Sequence, residues 1–169
     1  MIKSRVAKAL AVAGVTMALA VTATTAQAQK KVRWKMQSAW GAAVPHLGTS
    51  GVRLSKNISR ATAGRFDMKF FEPGALVPAL ECFDAASKGS VDSCYTTPGY
   101  HTGKLGPGVS FFTSVPFGPQ IGEFMAWKVF GGGDEIRAKK YAEFGLTAVD
   151  ILAIGPETSG WFKFEVTDL

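Results

Sequence analysis

Three short stretches of the chain predict β-strands, and apolar and polar residues alternate along the first two of them. In the first stretch, Val32, Trp34 and Met36 fall on one side, where they predict a buried face. The three predicted strands run from Val32 to Gln37, from Arg65 to Phe71 and from Val91 to Tyr95. A further apolar run, Thr147 to Ile154, predicts a fourth, buried strand.

Segments with apolar residues at helical spacing lie between and after these strands. The first segment opens with Pro45, which is favoured at a helix start, and Gly64 is expected to stop it. Asp134 is a good N-cap for the last segment. The predicted helices run from Pro45 to Thr62, from Ala79 to Lys88, from Ile121 to Phe130 and from Asp134 to Phe144. Strands that alternate with helices predict an α/β fold with a mainly parallel sheet.

The stretch from Tyr95 to Pro119 combines many Gly, Pro and hydroxyl residues with two tyrosines, three phenylalanines and a histidine. Its Gly and Pro content argues against a helix and favours a loop with fixed corners. A surface linker rarely contains so many aromatic rings. Since this loop leaves the carboxyl end of a strand, where open α/β sheets bind ligands, we expect it to form the floor of a binding cleft.

Several aromatic residues and one acid share this position at or just after the end of a predicted strand. The group consists of Trp40, Tyr95, Tyr100, Glu157 and Trp161. Each ring taken alone could simply fill a gap between loops. Because the carboxyl ends of parallel strands share one edge, the group as a whole favours a ligand site.

The N-terminus has the pattern of a secretory signal peptide. Three basic residues precede an apolar run from Ala9 to Val21, and Ala26-Gln27-Ala28 matches a cleavage site. We therefore predict a signal peptide over residues 1–28 and a mature chain over residues 29–169. The alternative, a membrane anchor, is disfavoured because a bilayer span needs about 20 apolar residues.

The charge of the chain gives little support to nucleic-acid binding. Three of the basic residues belong to the leader, so half of the net charge of +6 leaves with it. The remaining basic residues are scattered and not clustered. We expect no nucleic-acid partner, and at most a mild preference for a small anion.

The two cysteines, Cys82 and Cys94, leave two alternatives open. A disulfide is allowed in an oxidising compartment, but Cys82 lies in a predicted helix and Cys94 in a predicted strand, where buried free thiols are also common. The distance between the two Cα atoms decides between them.

Familiar catalytic motifs are missing from the sequence. There is no G-x-S-x-G, H-E-x-x-H or S-x-x-K pattern, and Gly99 to Lys104 lacks the spacing of a phosphate loop. We therefore do not expect an enzyme. A small secreted hydrolase that uses Glu157 and a histidine such as His101 remains the alternative.

Five segments together resemble the solute-binding proteins of tripartite ATP-independent periplasmic (TRAP) transporters, in the branch that binds monocarboxylates and 2-oxo acids. They cover nearly the whole predicted mature chain in the family's order and spacing. The segments are WKMQSAW at 34–40, the run at 71–92, GYHTGK at 99–104, VPFGP at 115–119 and ETSGWF at 157–162.

The resemblance implies a clamshell of the type II periplasmic binding-protein kind, of which this chain would carry the first lobe and the first crossover into the second. It implies periplasmic capture of a small organic acid, such as lactate or pyruvate, for sodium-driven uptake through TRAP membrane permease subunits. The family's ligand-binding arginine follows the GWF segment in a G-L-K-M-R stretch, and the sequence up to Leu169 does not include such a stretch. Residues 29–169 are accordingly interpreted as an N-terminal, truncated part that binds weakly by itself.

The resemblance also implies roles for single residues. Tyr100 is similar to the tyrosine that reaches the ligand, and Glu157 to a position that contacts the ligand or its cation, which could be Ca²⁺ or Na⁺. Trp40 and Tyr95 would form walls of the site. Cys82, Cys94 and His101 depart from the family's usual residues. Whether two copies of the chain form a homodimer is left open by the sequence.

Overall fold

Three parallel strands form the sheet of the protein, here described from a computed structural model. The strands are β1 (Val32–Ser38), β2 (Phe66–Phe71) and β3 (Ser93–Tyr95), in the order β2-β1-β3. The structure describes residues 30–113, 115, 117–155, 162–165 and 167. The chain divides after Lys30, and the description concerns the unit that begins at Lys31.

Helices connect the strands as the alternating pattern predicts. Helix α1 (Leu47–Ala61) links β1 to β2, and Gly64 follows its end with a φ of +74°, a conformation that glycine adopts without strain. A 3₁₀ turn (Ala79–Glu81) leads into α2 (Cys82–Ser87), which precedes β3. The predicted α/β fold with a parallel sheet is confirmed.

The stretch after β3 contains more helix than its composition predicts. It folds into two 3₁₀ turns, Pro98–His101 and Pro107–Phe112, separated by the one-turn helix α3 (Thr102–Leu105). The expectation of a non-helical loop is wrong here, because prolines occupy the first turn of each 3₁₀ segment, where no backbone N–H is needed. Gly106, at a φ of +84°, separates α3 from the second turn.

Two longer helices follow, α4 (Ile121–Phe130) and α5 (Gly133–Ala142). Helix α4 has the predicted bounds. The prediction that Asp134 caps α5 is wrong, because Gly132 is the N-cap residue, with a φ of +84°. The carboxylate of Asp134 instead forms ion pairs with Lys128 and Arg137.

The predicted strand Thr147 to Ile154 is not a strand in the structure. The segment pairs with no described strand, and Val149 is 75% exposed. An apolar run becomes a strand only when a neighbour supplies hydrogen bonds, so its composition is not sufficient. Asp150 anchors the segment through ion pairs with Lys128 and Arg137.

Buried side chains form two clusters. One lies between the sheet and α1 and centres on Met36, Met68 and Tyr95. The other centres on Phe83 and joins the stretch after β3 to α5. Of the three β1 residues predicted to face the core, only Met36 is buried. Val32 is 46% exposed, and Trp34, which packs edge-on against Phe66, is 39% exposed.

A disulfide between Cys82 and Cys94 joins α2 to β3, with the Cα atoms 5.4 Å apart. Of the two alternatives that the sequence leaves open, a disulfide and two free thiols, the structure has the disulfide. Within the described part of the chain, no helix has the length and apolar character needed to span a membrane.

Candidate ligand-binding site

Three of the four residues predicted to bind ligand meet at one edge of the sheet. Trp40 follows the carboxyl end of β1, Tyr95 ends β3, and Tyr100 lies in the 3₁₀ turn just beyond. The Trp40 ring centroid is 5.3 Å from that of Tyr95, edge-on, and 6.0 Å from that of Tyr100, at 48° between the planes. Because β1 and β3 are neighbours in the sheet, the segments that leave them are brought side by side.

Tyr95 forms the base of this group. Its side chain is buried beneath α1, and its hydroxyl donates a hydrogen bond of 2.9 Å to the carbonyl oxygen of Leu47. Burial raises the pKa of the Tyr95 hydroxyl. A Cβ atom at Gly51 would lie 2.7 Å from the Tyr95 ring, so α1 packs directly on it. Tyr95 therefore supports Trp40, and its own hydroxyl is occupied within the fold.

Trp40 and Tyr100 form the outer part of the group. Tyr100 is 52% exposed and Trp40 is half-buried. An indole face and a phenol can pack against a small carbon skeleton, and the phenol can also donate a hydrogen bond to an oxygen. We call these two rings the aromatic wall.

Sequence reasoning misses the buried polar side chain of Gln37 near this edge. The side chain has no exposed surface, and its amide donates to the carbonyl oxygens of Glu72, at 2.8 Å, and Ser38, at 3.1 Å. Its own oxygen accepts the backbone N–H of Leu76 at 3.1 Å. Gln37 thus ties the end of β1 to the segment after β2. A glutamine among the last residues of a predicted strand is the only signal of this role in the sequence.

His101 lies behind the wall and faces inward. It is 3% exposed, stacks on Phe83 at 4.8 Å, and its Nε2 atom lies 3.1 Å from the Thr96 hydroxyl. Burial lowers the pKa of His101, with repulsion from Lys104 adding to the effect and attraction to Asp84 opposing it. The imidazole is therefore packed inside the fold, and this burial does not suit the acid-base role of the hydrolase alternative, which needs a group that a substrate can reach.

Lys104 and Asp84 form an ion pair beside His101. The hydrogen bond from Lys104 holds the pKa of Asp84 below its usual value. Glu157, the residue predicted to meet the ligand and a cation, lies outside the described residues, as does Trp161. Across the described ranges, no three His, Cys, Asp or Glu side chains are grouped as a metal site would require.

A parallel α/β unit with an aromatic wall at the carboxyl ends of its strands is typical of a ligand-binding domain. No protein family model matches the chain. A monocarboxylate 2-oxoacid-binding periplasmic protein of Nostoc sp. is 36% identical over 137 residues, which are 80% of this chain and 36% of that protein.

Solved structures of periplasmic solute-binding proteins are also similar to this chain. A TRAP periplasmic solute-binding protein of Colwellia psychrerythraea, with bound calcium and pyruvate, has a TM-score of 0.65 and 32% identity, over 69% of this chain and 35% of its own. The Pseudoalteromonas atlantica protein, with bound sodium and pyruvate, has a TM-score of 0.65 and 30% identity, over 69% and 35%. A Bordetella bronchiseptica protein, a dimer with calcium and picolinate in one site, has a TM-score of 0.64 and 29% identity, over 68% and 34%.

The chain is similar to the TRAP transporter solute-binding proteins, and it matches an N-terminal portion of them. It spans about a third of the length of the relatives it matches. The predicted resemblance is thus confirmed. The hydrolase alternative finds no support, since these relatives are binding proteins and not enzymes.

Proposed function

We propose that this chain supplies one wall of the ligand site of a periplasmic TRAP solute-binding protein, which captures a small organic acid of the lactate, pyruvate or 2-oxo acid class. The acid is bound without chemical change. It is then delivered to TRAP membrane permease subunits for sodium-driven uptake.

The observation that carries this proposal is the meeting of Trp40 and Tyr100 at the carboxyl edge of the sheet, 6.0 Å apart between ring centroids. Both rings have exposed surface in a chain whose relatives hold pyruvate. A wall that is formed before the ligand arrives reduces the entropy lost on binding. Tyr95 supports this wall from below and is not assigned a direct contact.

A cation is expected to accompany the acid. The Colwellia and Pseudoalteromonas proteins hold calcium and sodium, respectively, together with pyruvate. We assign Glu157 as a ligand-binding and cation-binding residue, because carboxylate oxygens are suitable ligands for these ions. Replacement of Glu157 with Gln should weaken the calcium dependence of binding.

The periplasm is the proposed compartment of the protein. We propose that residues 1–28 direct the chain to the periplasm, where the Nostoc relative resides by its name. Two copies of the chain are a further candidate assembly, since the Bordetella protein is a dimer. Sedimentation of the secreted chain would measure this.

A chimaera tests the proposed function. Residues 31–169 of this chain, which include Glu157, would replace the matching portion of the Colwellia protein, so that the remainder of the clamshell is supplied. Calorimetry with pyruvate and calcium should give a dissociation constant within about tenfold of the parent protein. Cooperative unfolding of the chimaera without any heat of binding would contradict the proposal.

The isolated chain provides the second half of this test. Because it spans about a third of its relatives, we expect weak or no binding by residues 29–169 alone. Micromolar capture of lactate or pyruvate by that chain would show that one wall is sufficient, and would overturn this expectation.

A further inference from the structure

The backbone of Trp40 is held by a single buried hydroxyl. The Ser38 Oγ atom accepts the N–H of Trp40 at 3.0 Å and donates to the carbonyl oxygen of Trp40 at 2.7 Å. The Ser38 side chain has no exposed surface. A hydroxyl that acts as donor and acceptor to one residue fixes the direction in which that residue leaves the strand.

Contacts from both neighbouring strands hold the residues on either side of Trp40. On the β3 side, the N–H of Ala39 donates to the carbonyl oxygen of Tyr95 at 2.9 Å. On the β2 side, the N–H of Ala42 donates to the carboxylate of Glu72, at 3.1 Å and 3.3 Å to its two oxygens. Residues in β1 and β3, and Glu72 just after β2, therefore hold the segment that carries the indole.

The carboxylate of Glu72 is the unusual member of this set. Glu72 is exposed, so it adds little to the core, and it lies 30 positions from Ala42 in the sequence. Its own backbone is held in turn, because the buried amide of Gln37 donates to the Glu72 carbonyl oxygen. A charge-assisted hydrogen bond to a backbone N–H is stronger than a neutral one. Glu72 thus holds the loop that bears Trp40 through a hydrogen bond between residues far apart in the sequence.

We infer that Ser38 and Glu72 are positioning residues, which fix the orientation of the Trp40 ring against Tyr100. The consequence for ligand binding rests on the proposed function, whereas the effect on the ring itself does not. Rings that are held in place before binding need no ordering when a ligand arrives.

The test uses the full chain, without ligand, three variants at Ser38 and Glu72, and one control variant at Glu81. Proton NMR of the wild type should show cross-relaxation between the ring protons of Trp40 and Tyr100, and slow hydrogen exchange at the Ala42 amide. Glu72→Ala and Ser38→Ala should each lose the ring contact, and Glu72→Ala should speed up Ala42 exchange. Glu72→Gln keeps an acceptor oxygen and should retain both signals.

A purely structural role would give a different result. If Glu72 served stability alone, Glu72→Ala would lower the melting temperature and leave the Trp40 contact intact. We expect Glu72→Ala to lose the Trp40 contact and to keep a melting temperature close to that of the control variant Glu81→Ala. Glu81 is an exposed glutamate in the turn before α2. An unchanged Trp40 contact in both Glu72→Ala and Ser38→Ala would overturn the inference. Failure of the chimaera to bind pyruvate would affect the proposed function only.

Discussion

The indole of Trp40 lies 6.0 Å from the phenol of Tyr100, with 48° between the ring planes, although the two residues follow different strands. Their strands, β1 and β3, are parallel neighbours with Ser38 opposite Tyr95. This register brings the segments after both strands to the same height. The aromatic wall is therefore a direct product of the sheet topology.

Replacement of Tyr100 should affect binding and leave stability almost unchanged. Because its ring is 52% exposed, Tyr100→Ala should change the free energy of unfolding by less than about 0.5 kcal/mol. In the chimaera, the same change should weaken pyruvate binding roughly tenfold through lost ring packing and a lost hydrogen bond. Phe111→Ala is the matched control, since this ring is 59% exposed outside the wall. Equal losses of affinity in both variants would argue against a specific role for Tyr100.

Replacement of Gly51 should destabilise the fold beneath the wall. A Cβ atom there would lie 2.7 Å from the Tyr95 ring and 2.9 Å from that of Phe70. Since the Tyr95 hydroxyl is held by Leu47, the ring cannot easily move away. Gly51→Ala should therefore cost about 2 kcal/mol of stability in denaturant unfolding. Gly103→Ala, where a Cβ meets nothing within 4 Å, should change stability by less than about 0.5 kcal/mol.

The disulfide should stabilise the segment that leads into the wall. It joins Cys82 to Cys94, directly before Tyr95, and closes a loop with a sequence separation of 12. Replacing both cysteines with Ala should lower the free energy of unfolding by about 3 kcal/mol. A reductant should destabilise the wild type and leave the double variant unaffected. Titration of two free thiols in the native, unreduced chain would contradict the pairing.

The buried His101 should make stability depend on pH. Its pKa in the folded state lies below the usual value of 6.5, so the unfolded chain takes up a proton first as the pH falls. Stability should therefore be fully present above pH 6.5 and decline as the pH falls below it, until the folded-state pKa is reached. His101→Gln should abolish this slope in thermal unfolding at a series of pH values.

Asp84 does not obscure that measurement. Its pKa is lowered from 3.8 by Lys104, so its stabilising contribution is present above that pH and is lost only in more acidic solution. A slope between pH 7 and 5 that persists in His101→Gln would show that another group is responsible.

The sequence predicts the elements that depend on local pattern. The alternation of β1, α1 and β2 is read directly from apolar spacing, with Pro45 just before the helix and Gly64 just after it. The same order implies a parallel sheet, and a parallel sheet implies that Trp40, Tyr95 and Tyr100 share an edge. These three residues can be grouped before any coordinates are known.

Features that depend on distant partners cannot be predicted in this way. The run Thr147 to Ile154 has the composition of a strand but no described partner, and Asp150 is instead held by ion pairs. The contact of Glu72 with Ala42 leaves no pattern in the sequence, because it joins loops after two different strands. The disulfide likewise required a Cα separation, 5.4 Å, which only the fold supplies.

The most direct test of the central claim is the position of pyruvate relative to the aromatic wall. In the chimaera saturated with methyl-labelled pyruvate and calcium, cross-relaxation should connect the pyruvate methyl group to ring protons of both Trp40 and Tyr100. Bound pyruvate whose methyl group contacts neither ring would contradict the account.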